Sequence, residues 1–307
     1  MCFLGGNRME EVRKIDKRES LRVVTSNGLI VAEDLADLSL NARKLFYIAI
    51  SQCRKRDTEF YKYEVAPTEL AEMWGVNRQQ VYKTIDKTTT ELMKVVIRTI
   101  DADGKSFKKR HLFETCDYTN DKVLEFKLNT EMIEMLLGLD KNFSKPLMWE
   151  FMRMRSPYSM AIWHLMQKEM HSFKPMMTAP IEFDLTLEEL RKVTGTEKKL
   201  KQLSQFKERV LDKAIREIKE NCLVNISYTN IKRGRAVVGF RFTAENFFGT
   251  IRPEDMTLRQ RKIYRKGQLI NLKSQRPLTY AEDDELQRLT LELGQMTIED
   301  FCGENPY

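Results

Sequence analysis

Between about residues 60 and 245 the chain runs twice through one order: short helix, glycine turn, longer helix, β-hairpin. The first run is Leu70 to Trp74, Gly75, a helical pattern from Arg78 to Met93, then the strand-like Val95 to Ile100. The second is Leu187 to Val193, Gly195, an amphipathic pattern from about Ser204 to Asn221, then Leu223 to Tyr228. A unit that recurs in this way constrains the fold more than composition does, because each copy needs a core between its helix pair and its hairpin. The order is that of a winged helix. The expected class is therefore α+β, with two tandem winged-helix domains and flanking mobile tails.

The spacing of Ala71, Gly75 and Val81 has a mechanical cause. Two helices that meet at a steep angle need three things: a small residue where the backbones approach, a glycine at positive φ, and an apolar plug from the second helix. Pro67 suits the first turn of the leading helix. Asn77, with Gln80 three residues on, suits a capping box for the second. That second helix buries Val81, Ile85, Thr88, Leu92 and Met93 and exposes Arg78, Gln79, Tyr82, Lys83, Asp86 and Lys87. A strand, a turn at Asp101 to Lys105 and a long strand from Phe107 to Tyr118 make the wing, with Lys105, Lys108, Lys109 and Arg110 near its tip.

The second unit differs in charge. Residues 196–241 hold twelve Lys or Arg against five Asp or Glu, an excess equal to the net +7 of the whole chain; elsewhere the signs cancel. A cationic run on one helix is ordinarily a solvated face, but this one coincides with the helix and hairpin of a duplex-reading unit. Phe206, Val210, Leu211, Ala214, Ile215 and Ile218 share one half of the helix. Gln205, Arg209, Asp212, Lys213 and Arg216 share the other, while Lys207 falls on the apolar half. Arg209, Lys213 and Arg216, with Gln205, are placed to reach base edges, where Arg pairs bidentately with guanine. Lys198, Lys199 and Lys201 before the helix and Lys232, Arg233 and Arg235 on the hairpin turn are placed for phosphates. The corresponding set in the first unit is Arg78, Gln79, Tyr82 and Lys83 on the helix and Lys108 and Lys109 on the wing.

These patterns divide the chain into a flexible N-terminal arm (1–22), a first winged helix (23–145), a second (146–250) and a C-terminal tail (251–307), with Gly138 to Pro146 as linker. Ser156 and Pro157 read as the cap and first turn of a helix that opens the second domain. In the tail, basic Arg259 to Lys266 precedes an acidic Glu282 to Glu285, and Leu286, Leu289 and Leu293 can line a short helix. A partner-docking segment and a plain solvated tail fit it equally.

Other function classes are excluded on chemistry. Hydrophobic content of 42% with 32% charged residues suits a soluble protein, and no apolar run approaches the roughly 18 residues that span a bilayer. The start lacks a secretory signal, so a cytoplasmic location is expected. Cys2, Cys53, Cys116, Cys222 and Cys302 form no metal-ligand spacing, so neither metal nor cofactor is expected. A rolling-circle nickase needs a His-x-His pair, which His111, His164 and His171 never form. An initiator ATPase needs Gly-x4-Gly-Lys-Ser/Thr, which is lacking. No catalytic residue is assigned.

The block from Phe206 to Ile218, then Val224-Asn225-Ile226-Ser227-Tyr228 and Lys232-Arg233-Gly234-Arg235-x-Val237-x-Gly239-Phe240-x-Phe242, closely resembles the second winged helix of plasmid replication initiators of the Rep_3 (RepB-like) type. Ser39 to Leu45 and the helix-turn-helix at Leu70 to Ile85 look like that family's first domain. The family's proline after the Leu-Asp pair is Lys213 here. The resemblance implies a bacterial initiator that binds iterons, short direct repeats of double-stranded DNA at an origin. It also implies a homodimer in equilibrium with monomer, repression of its own gene, and host replication proteins such as an initiator and a helicase as partners. Residue chemistry alone supports two linked duplex-reading modules, which a tandem winged-helix transcriptional repressor would equally contain.

Overall fold

A computed structural model describes residues 12–18, 21–54, 56–100, 105–139, 141–170, 179–222, 224–246, 256 and 258–295. Residues 101–104 of the wing turn expected at 101–105 lie outside the described residues, as do Leu223, His171, Cys2 and Cys302. In chain order the first part contains β1 (Val12–Lys14), β2 (Thr25–Ser26), α1 (Asn27–Ile30), α2 (Leu40–Ser51), β3 (Lys62–Val65), α3 (Pro67–Trp74), α4 (Arg78–Met93), β4 (Val96–Ile100), β5 (Phe107–His111), β6 (Phe113–Tyr118), β7 (Leu124–Leu128), α5 (Ile133–Leu136), β8 (Phe143–Ser144), α6 (Met148–Met152) and α7 (Pro157–Glu169). The second contains β9 (Ile181–Thr186), α8 (Leu187–Val193), α9 (Leu203–Phe206), α10 (Asp212–Asn221), β10 (Val224–Arg233) and β11 (Ala236–Asn246). Two helices follow, α11 (Leu258–Gln275) and α12 (Tyr280–Gln295).

Two winged helices are present, one in each part, with more helix than strand. In the first, β1-β3-β7-β6 form one sheet and β4-β5 a separate hairpin; in the second, β10-β11-β9 form a single sheet. The long wing strand expected at Phe107 to Tyr118 is two strands. Leu112 and Phe113 are both fully buried, and the backbone bends at Leu112. The chain therefore turns there: β5 stays with β4, and β6 leaves to pair with β7.

Residues 12–18 and 21–22 do not form an arm. β1 pairs in parallel with β3, and Ile15 and Leu21 are buried in the core. The Gln52 side chain bonds both the N–H and the carbonyl of Asp16 (2.7 and 3.1 Å). The boundary expected at 145/146 also moves. Val23 N–H donates to Pro146 O, and His164 on α7 bonds Tyr47 and Thr25 at 2.8 and 2.9 Å and Ser144 at 3.1 Å. Helices α6 and α7 thus complete the first core.

Helix α7 also meets the second module. Ser156 makes no cap bond with its hydroxyl. The buried carboxylate of Glu217 on α10 instead accepts from the N–H groups of Arg155 and Ser156 (3.1 and 3.2 Å). A second seam joins the segment Glu33–Leu35, a 3-10 turn, to the turn after α8. Lys192 pairs with Glu33 (2.9 Å) and Lys199 with Asp37 (3.0 Å). Gly195 has φ +62°, and a Cβ there would lie 2.9 Å from Asp37 Oδ1.

The C-terminal region is a helical hairpin across residues 258–295, in place of a mobile tail. Its root is fixed where Met256 and Arg259 are buried and the Arg259 guanidinium lies 4.0 Å from the Trp149 ring centre.

Candidate nucleic-acid interface

In the first module the local sequence builds the reading helix as expected. Gly75 takes φ +65°, Val76 N–H bonds Ala71 O, and Val81 is buried between the helices. Asn77 Oδ1 accepts from Gln80 N–H at 2.9 Å, the capping half of the expected box. The far end is held by Glu91, whose carboxylate accepts from the N–H and hydroxyl of Ser39. Lys44, buried on α2, donates to Met73 O at the end of α3. Helix α4 then presents Arg78, Gln79, Tyr82 and Lys83 to solvent, with Asp86 and Lys87 beyond.

The wing beside it exposes Lys108 and Lys109, and Lys109 Nζ sits 5.5 Å from the exposed Phe107 ring. Arg110 turns away from the tip: its side chain bonds Thr99 and pairs with Glu131 and Glu134 at 3.7 Å. Tyr118, which periodicity did not single out, stacks edge-on against Tyr82 at 5.7 Å. Both rings remain about half exposed, an aromatic pair on the reading side of α4. Only the sheet topology brings β6 beside that helix.

The second module reaches the same end differently. Helix α8 is opened by a reciprocal box between Thr186 and Glu189. The loop that follows is held by Arg191, whose guanidinium donates to the carbonyls of Thr196, Lys199, Leu200 and Lys201 at 3.0 to 3.3 Å. Its Cζ lies 4.7 Å from the Phe206 ring centre. This clamp leaves Lys198 and Lys201 exposed; Lys199 is exposed too but already pairs with Asp37. Arg191 has no sequence signal, because its partners are loop carbonyls.

The amphipathic helix expected from Ser204 to Asn221 is continuous but not uniformly α. Lys207–Leu211 is a π-helical turn between α9 and α10. A widened turn shifts the phase of residues before it against those after it. Gln205 accordingly is half-buried, whereas Arg209, Lys213 and Arg216 stand exposed together. Lys207, anomalous at 100° per residue, lies with Nζ 5.2 Å from the Tyr228 ring centre and 3.4 Å from Asn230 Oδ1. Tyr228 in turn donates its hydroxyl to Asp212, and burial together with that carboxylate raises its pKa. Asp212 is thus engaged by the wing. The wing turn exposes Lys232, Arg233 and Arg235 around Gly234.

Not every cation of the basic block is free. Arg241 holds Asp184 in two parallel bonds (2.8 and 2.9 Å). Lys198, Lys201, Arg209, Lys213, Arg216, Lys232, Arg233 and Arg235, by contrast, pair with no carboxylate among the described residues. The arrangement is a phosphate-seeking surface with guanidinium groups on its helix.

The reactive side chains are placed for structure. Burial pushes the Cys53 and Cys116 thiols up to about 12, the wrong direction for nucleophiles. Burial, with the Arg43 charge, lowers His164 to about 3 and keeps it neutral. Among the described residues no group of three His, Cys, Asp or Glu side chains could hold a metal ion, and no helix is long and apolar enough to cross a membrane.

Residues 22–167 match a family model described as initiator replication protein, WH1, and residues 186–244 one described as initiator Rep protein, WH2. A crystal structure of the Pi initiator protein in complex with iteron DNA shares the fold, with TM-score 0.62 and 20% identity, over 74% of this chain and 98% of that one. A structure of domains 2 and 3 of RctB is more distant, at 11% identity and TM-score 0.37 over 71% of this chain and 81% of that chain. No curated protein matches the sequence significantly.

Proposed function

Because the chain belongs to the initiator replication protein family, whose WH1 and WH2 models it matches in order, we propose that it is a plasmid replication initiator that binds iterons, direct repeats of double-stranded DNA, at an origin. One observation carries the reading. Two reading helices stand in tandem, each presenting cations that no carboxylate among the described residues neutralises.

Arg209, Lys213 and Arg216 enter a major groove, and Arg78, Gln79, Tyr82 and Lys83 enter the next. Lys198, Lys201, Lys232, Arg233 and Arg235, with Lys108 and Lys109 on the first wing, hold phosphates and fix register. Lys199 divides between Asp37 and a phosphate, and Gln205 contributes from the margin. Two modules on one face cover about two helical turns, so each repeat is roughly 20 base pairs. The work is binding and strand opening, with no bond made or broken by the protein. The homodimer represses the initiator's own gene, the monomer starts replication, and a host initiator and helicase are recruited in the bacterial cytoplasm.

Transformation tests this directly. A non-replicating marker joined to the gene and its flanking repeats should be maintained in a host, and should be lost when Arg209, Lys213 and Arg216 are all changed to Ala. Maintenance without the intact gene, or DNA binding with no origin activity, would leave a repressor and overturn the initiator reading.

A further inference from the structure

The hairpin of α11 and α12 segregates charge by helix. Arg259, Arg261, Lys262, Arg265, Lys266 and Lys273 lie on α11, which has no acidic residue, and Arg276 follows it. Helix α12 carries Glu282, Asp283, Asp284, Glu285 and Glu292 against the single Arg288. Across the hairpin Arg276 pairs with Glu282 (2.7 Å), Arg265 with Glu285 (2.8 Å), Lys273 with Asp283 (3.1 Å) and Lys262 with Glu292 (3.2 Å).

A helix that only needs to stay soluble intersperses its signs, because like charges three and four residues apart repel. Helix α11 repels itself at Lys262, Arg265 and Lys266, so an anionic surface alongside relieves it. Here α12 is that surface. The ion pairs are partly exposed to water, and pairs of this kind hold only weakly. A competing polyanion can therefore replace them. The connection Arg276-Pro277-Leu278-Thr279 lies at the opposite end of α11 from the root at Arg259 and Trp149.

We propose that α11 is a third DNA-contact surface, recognising the phosphodiester backbone, and that α12 covers it as an intramolecular acidic competitor. Displacing α12 frees Lys262, Arg265, Lys273 and Arg276 for phosphates. The hairpin then sets how strongly the protein holds DNA outside its repeats.

The test neutralises the cover while keeping its length: Glu282→Gln, Asp283→Asn, Glu285→Gln and Glu292→Gln in the full chain, with helicity checked by circular dichroism. Binding to a random duplex is measured between 50 and 200 mM salt. Four freed cations should steepen the slope of log K against log salt by about 3 to 4, with at least about tenfold tighter binding at the lowest salt. A random single strand of equal length, at a shallower slope per cation, separates the two forms of backbone. Two controls decide the source of any gain. Asp284, on α12 but paired with no cation among the described residues, should have little effect as Asp284→Asn, whereas Glu285→Gln should steepen the slope. Adding Lys262→Gln, Arg265→Gln, Lys273→Gln and Arg276→Gln to the four-fold variant should return the slope to the original. An unchanged slope in the four-fold variant, equal effects of Asp284→Asn and Glu285→Gln, or a gain that survives removal of the four cations would each overturn the proposal.

Discussion

Helix α4 is capped by its own side chain at one end and anchored to α2 at the other, whereas the reading helix of the second module has no side-chain cap and is held by its preceding loop, its wing and α7. Asn77 caps the first, Glu91 ties its far end to Ser39, and its wing β4-β5 stands apart from the main sheet. The second has no side-chain cap at Gln202. Arg191 clamps the loop before it, Lys207 and Asp212 lock it to Tyr228 of the wing, and Glu217 anchors it to α7. One order of elements thus supports two ways of holding a reading surface. In the second module side chains of the helix bond its wing directly, with the unneutralised cations on both.

That contrast can be broken by experiment. The largest effect should come from the reading faces. Arg209, Lys213 and Arg216 together changed to Ala should weaken repeat binding about a hundredfold or more, since each base contact is worth about 1 to 3 kcal/mol. Arg78, Gln79 and Lys83 changed together should cost less. Equal losses in a titration against the same repeat would erase the asymmetry.

Removing the outside anchor comes next. Glu217→Ala leaves two N–H groups at the start of α7 without their acceptor and should lower stability by about 1 to 3 kcal/mol, read by urea unfolding. Its effect on repeat binding should exceed what stability alone explains, because α10 loses its tether.

The pH response tests where the first module is vulnerable. His164, held near 3 when folded against an ordinary 6.5, contributes stability that is full above about 6.5 and is lost as pH falls toward 3. Glu150, raised to about 7 by burial from an ordinary 4.5, acts with the opposite sign: its contribution is full below 4.5 and lost as pH rises through 7. The two oppose each other between pH 4.5 and 6.5, so the thermal midpoint should be nearly flat there and fall below it. Asp16, lowered to about 2 by its bonds to Arg18 and Arg54 against its own burial, adds to the loss below its ordinary 3.8. Glu150→Gln should expose the His164 slope, at most about 1.4 kcal/mol per pH unit. A midpoint still flat in that variant would show that His164 does not titrate as the burial requires.

The smallest effect is at the caps. Asn77→Ala should cost about 1 kcal/mol, whereas Gln202→Ala, at the matching position of the second reading helix, should cost almost nothing. Similar costs would mean that the two helices are held alike after all.

The comparison also marks what periodicity could read. Ala71, Gly75, Asn77 and Val81 act within one turn of each other, and local spacing is what a single sequence displays. Gln205, expected on the exposed half, is half-buried because a π turn interrupts the 100° period on which its placement rested. Tyr118, Arg191 and Glu217 each act on residues from another element, and no local pattern points to such partners. The N-terminal arm and the 145/146 boundary were misplaced for the same reason: β1, α6 and α7 earn their positions from β3, Tyr47 and Leu21, far away in the chain.

By itself the sequence determined two winged helices, the charge excess on the second, and most of the exposed side chains along the two long helices. These follow from helical period, glycine conformation and charge count, all of which act over short stretches. Tertiary structure alone decided which cations remain free. Lys199, Arg110 and Arg241 are as basic as Lys198, Lys109 and Arg233, and only the carboxylates brought near by folding, Asp37, Glu131 and Asp184, compete with a phosphate for them. A charge is fixed by its residue, but its availability to a phosphate depends on what the fold places within a few ångströms of it.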